Sequence, residues 1–223
     1  MTPTEPNADP AADPIRPLKE VWLRPRRVFR ALAGQPLSFT DYALVSALGI
    51  ANCLASYRSQ SAEVHHGLGE VLLNSLIFGV ILGIASTFLF AGICARLGPR
   101  EGGSLSRTAV FHVLAYGGIP VVAAFGVWGL AIMLVGDTAA AAAPVQLDGF
   151  QTLILLLEVL ASAFLGLWSV TLQVMGLSEL LEVPIGKALR IWLLGRLLWI
   201  IAILMIVLLV AILFPGVLPV TNA

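Results

Sequence analysis

Five long apolar runs, at residues 39–57, 71–95, 108–135, 150–176 and 191–214, take up most of this 223-residue chain. A helix needs about 20 apolar residues to cross the hydrocarbon core of a bilayer, and each run supplies roughly that many or more. Threading the runs back and forth through a membrane sorts the cations. Arg16, Lys19, Arg24, Arg26, Arg27 and Arg30 precede the first run, and Arg96, Arg100 and Arg107 fill the second connection. Lys187, Arg190 and Arg196 lie around the fourth connection and the start of the last run. Twelve of the thirteen Lys and Arg thus share one side, and Arg58 alone falls on the other. Cytoplasmic loops retain Lys and Arg, so the alternation predicts the N-terminus inside and the C-terminus outside. The expected fold is all-α: a polytopic bundle of five transmembrane helices with an N-terminal interfacial amphipathic helix.

Charged residues make up only 12% of the chain and hydrophobic ones 58%. Soluble domains carry about 25% charged residues, so lipid is the main solvent expected here. The formal net charge is zero, and no nucleic-acid partner is expected. Asp41, Glu63, Glu70, Asp137 and Asp148 are read as lying in or beside the outer loops. Cys53 and Cys94 fall near opposite ends of their spans, so they are expected to stay apart as small apolar residues. The first residues, MTPTEPNADPAADP, lack a basic stretch followed by an apolar core, so no cleavable signal peptide is expected.

Residues 1–14 combine four prolines with Asp, Ala and Asn and read as a disordered tail. Residues 15–34 form the interfacial segment. Leu18, Val21 and Trp22, then Val28, Phe29 and Leu32, repeat at helical spacing, with a break expected at Pro25. Arg24, Arg26, Arg27 and Arg30 are the candidates for contact with anionic headgroups. Residues 35–216 hold the five spans, and 217–223 form a short outer tail.

Small residues mark where helices can approach. The first span carries Ala43, Ala47, Ala51 and Ala55 at intervals of four, and the second carries Ser75, Gly79, Gly83, Thr87, Ala91 and Ala95. Such stripes let backbones touch in lipid, where no hydrophobic force drives helices together. Each step of four drifts by about 40°, so about three members can face one neighbour. Close packing of the first span on the second, through Ala47, Ala51, Gly79 and Gly83, is the expected core contact. In the third span Pro120 follows Gly117 and Gly118, which predicts a kink whose freed backbone groups are re-satisfied by neighbouring helices. The last span, aliphatic on all sides, is expected to face lipid, with Trp192 and Trp199 at its interfacial end.

Chemistry is sparse. The chain has no HExxH, GxSxG, phosphate-binding glycine loop or Cys/His cluster, so neither catalysis, a cofactor nor a metal is expected. His65 and His66 read as solvated loop residues. The candidate intramembrane polar positions are His112 and Glu158. A carboxylate at mid-bilayer costs about 2.5–3.5 kcal/mol, which marks Glu158 for a transport role or a cationic partner. An interfacial place near the outer headgroups, or structural hydrogen bonding, is favoured instead. Arg196 is expected to snorkel back to the basic side.

Three stretches taken together resemble the Yip1 domain family. They are Trp22, Arg24, Pro25 and Phe29 in W-x-R-P-x-x-x-F, then Ala115, Tyr116 and Pro120 in AY-x-x-x-P. The third runs through Trp168, Leu172, Gly176 and Leu177 to Gly186, Lys187 and Ala188. The likeness covers residues 18–214 and includes the five-span, N-inside layout. It implies a short bacterial member in the cytoplasmic (inner) membrane. The acidic, aromatic N-terminal domain of the Rab-associated eukaryotic members is not among these residues. The expected function is non-enzymatic: scaffolding or modulating other membrane components through helix packing and a basic cytoplasmic face, with a membrane-protein partner or self-association. The alternative is a small transporter or transporter subunit that uses Glu158 and the Pro120 kink.

Overall fold

The computed structural model describes residues 16–59, 68–98, 106–135 and 148–213. These residues form α1 (Arg16–Glu20), α2 (Pro25–Leu32), α3 (Phe39–Ser59), α4 (Leu68–Leu97), α5 (Arg107–Gly117), α6 (Ile119–Val135), α7 (Gly149–Leu181) and α8 (Ile185–Leu213). No strand occurs among the described residues. The tails at 1–14 and 217–223, and the alanine-rich turn at 139–144, lie outside them.

Five helical stretches are long and apolar enough to cross a membrane: α3, α4, the α5–α6 pair, α7 and α8. The fourth connection is shorter than the apolar runs imply. Helix α7 continues to Leu181 and α8 starts at Ile185, because Leu177, Leu181, Ala188 and Ile191 are all buried in the core. Glu182 ends α7 in the left-handed region, at φ 54° and ψ 34°, with its N–H bonded to the Ser178 carbonyl. Pro184 then opens α8 by offering its carbonyl to Lys187 and Ala188.

Helices α3 and α4 cross at glycines. A Cβ on Gly79 would stand 2.6 Å from the Ile50 Cα and 2.7 Å from its nitrogen. One on Gly83 would meet the Val45 carbonyl at 2.7 Å, and one on Gly49 would collide with the Gly79 carbonyl. The expected partnership of the first two spans holds, but the alanine stripe of α3 is not the seam. Ala43 and Ala55 are exposed, Ala47 is half-buried, and only Ala51 is buried. Val45 and Gly49 take the seam instead, since glycine alone lets the two backbones touch. On α4 the stripe from Ser75 through Gly79, Gly83 and Thr87 to Ala91 is buried along its length. Its drift carries it past α3 towards α5 and α8, which α4 also contacts.

The third span breaks where the Gly-Gly-x-Pro sequence predicts. Pro120 cannot donate to Tyr116, and Val121 and Val122 both bond back to the Gly118 carbonyl. The freed Gly117 carbonyl accepts from the Ser169 hydroxyl of α7 at 2.6 Å. A Cβ on Gly117 would lie 2.7 Å from the Gln173 Cγ, so the same glycine sets how closely α5 meets α7. Ser169→Ala is expected to lower stability by about 0.6–2 kcal/mol, the scale of interhelical hydrogen bonds in lipid. Reversible unfolding in mixed micelles measures it, and an unchanged midpoint would show that the break needs no donor.

The N-terminal segment divides at Pro25, which occupies the first turn of α2, where its missing N–H costs nothing. Its apolar side is buried in the bundle rather than left for lipid. Phe29 is 1% exposed, and Val21 and Val28 are buried with it. Gly176 makes room: a Cβ there would meet Val113 and the Phe29 ring within 2.9 Å. Arg24, Arg26 and Arg27 remain outside, while Arg30 pairs with Glu179 of α7. At the other extreme, every side chain of α8 from Leu204 to Leu209 is exposed, an aliphatic surface fit for acyl chains.

Candidate functional site

Two polar clusters stand inside the spans, both towards the basic end of the bundle. The first joins α3 to α5. Ser38 and Asp41 cap the start of α3 reciprocally: the Ser38 N–H and hydroxyl both donate to Asp41 Oδ2 at 2.7 Å, and the Asp41 N–H reaches the Ser38 oxygen at 3.4 Å. The other carboxylate oxygen lies 2.6 Å from His112 Nδ1, and His112 Nε2 lies 3.2 Å from the Gln35 carbonyl. A carbonyl only accepts, so Nε2 carries a proton and donates it. One further proton is shared between Nδ1 and the carboxylate. The Asp41 and His112 side chains are 1% and 2% exposed. Tyr42, Phe88 and Phe111 close over the same end, with the Phe88 and Phe111 rings 4.7 Å apart.

Asp41 therefore does not belong beside an outer loop. It caps the basic end of α3, because α3 begins where α5 begins. The sequence held a signal for this: Ser38-Phe-Thr-Asp41 is a Ser-x-x-Asp capping pattern ahead of an apolar run. His112, one of the two candidate intramembrane polar positions, is tied to Asp41 and to the Gln35 carbonyl.

The second cluster centres on Gln173, which is buried in α7. Its Nε2 donates to the Ser169 oxygen at 3.3 Å. Its Oε1 accepts from Trp192 Nε1 at 2.9 Å and from Arg196 Nη2 at 3.3 Å. The Arg196 guanidinium lies 4.4 Å from the centre of the Phe90 ring, 5.2 Å from Trp192 and 5.9 Å from Trp199. Arg196 thus turns into the bundle rather than snorkelling, its guanidinium resting against an amide oxygen and ring faces. Trp192 and Trp199 surround it, which is a more specific duty than interfacial anchoring. Gln173 carried a readable signal as the amide deep in the span, the other, Gln151, lying in its first turn.

Glu158 is not left open to the surroundings: it is 3% exposed and accepts from the Ser162 hydroxyl at 3.1 Å. Nor does it meet His112. From the Gly117–Ser169 bond, His112 lies five residues towards the basic end and Glu158 eleven towards the other. At 1.5 Å per residue that is about 24 Å along the bundle. The two candidates form no joint site. Among the described residues no three His, Cys, Asp or Glu side chains gather closely enough to hold a metal ion. Cys53 and Cys94 are both free thiols.

The signature positions partly converge. Phe29, Gly176 and Val113 form one contact, with Tyr116 buried a turn further along α5. Pro25 and Pro120 are buried, and Trp22 and Trp168 pack against the core at its edge. Lys187 stands apart, exposed on the first turn of α8.

This arrangement is that of an integral, multi-pass helical membrane protein whose described intramembrane polar groups are largely tied to one another. Compared with protein-family models, with curated proteins and with solved structures, the chain matches none.

Proposed function

We propose that this chain is a non-enzymatic membrane protein of the Yip1 type, set in a bacterial cytoplasmic membrane with its basic end inside. On this reading it holds other membrane components through its cytoplasmic face. The observation that carries the proposal is the docking of α2. The bundle uses the apolar side of that helix, so Arg26 and Arg27 are presented on a fixed platform rather than on a loose tail. Each basic residue near an anionic surface contributes about 1 kcal/mol, so the platform also holds this end against the headgroups.

Deleting the segment would expose the core around Phe29, so point substitution is the cleaner test. A photo-crosslinking side chain at Arg27 should give discrete protein adducts in native membranes, lost in an Arg24→Gln, Arg26→Gln double variant. Adducts to lipid alone would count against scaffolding. A reporter that folds only outside the cytoplasm, fused after Ala223, should be active.

A second reading, transport, draws support from the burial of Glu158 within the protein. Glu158→Gln should then abolish solute or proton flux in liposomes. Absence of flux with the wild-type protein would end that reading.

A further inference from the structure

An open cleft of about 490 Å³ lies between α2 and the end of α7, lined by Arg26, Arg30, Ser178, Glu179, Glu182 and Val183 among others. Its charged lining is two guanidinium groups and two carboxylates. We propose that this cleft binds a phosphoethanolamine group, with the phosphate at Arg26 and Arg30 and the primary ammonium at the carboxylates, chiefly Glu182.

Three observations carry this. First, the lining is balanced in sign. Guanidinium forks match phosphate oxygens, and carboxylates accept from the three N–H bonds of a primary ammonium. A purely anionic group would leave a carboxylate facing it. A trimethylated ammonium has no N–H to give. Second, Glu179 is already held by Arg30, across α2 and α7, so part of the lining is fixed before any ligand arrives. The Arg30 Nε donates to Glu179 Oε1 at 2.8 Å. Third, Glu182 is the described non-glycine residue with positive φ, at the helix end that glycine fills most readily. A carboxylate kept at so unfavourable a backbone position, on the wall of a cleft, points to use of the side chain.

The proposal rests on the reading that the basic end meets a headgroup layer, and the ligand chemistry is shared by a lipid headgroup and a soluble phosphate ester. The full chain, purified in detergent, is equilibrated with acyl-matched phosphatidylethanolamine, phosphatidylcholine or phosphatidylglycerol. Retained lipid is counted by native mass spectrometry, with soluble phosphoethanolamine as a separate arm. Phosphatidylethanolamine should be retained roughly five- to tenfold over the other two, the scale of one charge-assisted contact pair. Glu182→Gln should erase that preference, lowering phosphatidylethanolamine retention and raising that of phosphatidylglycerol, whereas Arg26→Gln should lower both.

Glu182 and Arg26 are exposed, so neither change threatens the fold. Binding of the soluble ester as tight as that of the lipid would name the ester as ligand of the same site. Equal retention of ethanolamine and choline lipids would overturn the proposal, as would an unaltered preference in Glu182→Gln. Phosphatidylglycerol retained above phosphatidylethanolamine would overturn it while leaving the headgroup-facing basic end intact. If no lipid is retained, both readings fall.

Discussion

Gly79→Ala is expected to destabilise the protein by on the order of 3 kcal/mol, the upper range for one added methyl in a tight contact. The added carbon would stand 2.6–2.7 Å from the backbone of Ile50, and backbone has no rotamer by which to move aside. Gly49 faces the same seam from α3, where its own Cβ would strike the Gly79 carbonyl, so the two helices must separate to accept either change. Separation along α3 and α4 loosens the contacts that α3 makes with α5 as well. Gly126→Ala in α6 is the matched control. Nothing lies within 4 Å of a Cβ there, so the change should be neutral or gain up to about 1 kcal/mol from helix propensity. Unfolding midpoints in mixed micelles, followed by circular dichroism, separate the two. Similar midpoints for both variants would mean that α3 and α4 do not touch at their backbones.

The span count and the break before Pro120 were legible because each follows from a short-range rule: apolar length in one case, a missing N–H in the other. The α3–α4 pairing was legible from small residues, but its register was not. Alanines at 43, 47, 51 and 55 and the Val45–Gly49 pair offer competing stripes on one helix. The seam falls at Gly49, where the backbones touch, and the same helix must also bring Asp41 to His112, a residue 71 positions away. Sequence spacing carries no information about that partner. The same limit explains Arg196. Distance from the membrane surface argues for snorkelling, yet Phe90 of α4 and Gln173 of α7 make a nearer environment that only tertiary packing supplies.

Asp41→Ala and His112→Leu are each expected to cost about 3–5 kcal/mol, the range for breaking a buried pair by removing one partner. Loss of the carboxylate strands His112 Nδ1 and both Ser38 donors; loss of the imidazole leaves a buried carboxylate and the Gln35 carbonyl short of a donor. Removing both partners takes away the charge along with its counterpart, so Asp41→Leu with His112→Leu should cost no more than either single change. The predicted consequence reaches beyond stability. The His112 bond to Gln35 fastens the chain just after α2, so breaking it frees one end of the helix that carries Arg26 and Arg27. Trypsin should then cut after those arginines faster in the single variants than in wild type, under conditions where the spans stay folded. Faster cleavage in both single variants, and in the double, which also lacks the bond to Gln35, would make the pair the clasp that holds the basic platform in place. Additive losses of stability with unchanged cleavage would reduce it to two independent packing residues, and the platform would then depend on the burial of Val28 and Phe29 and on the Arg30–Glu179 pair.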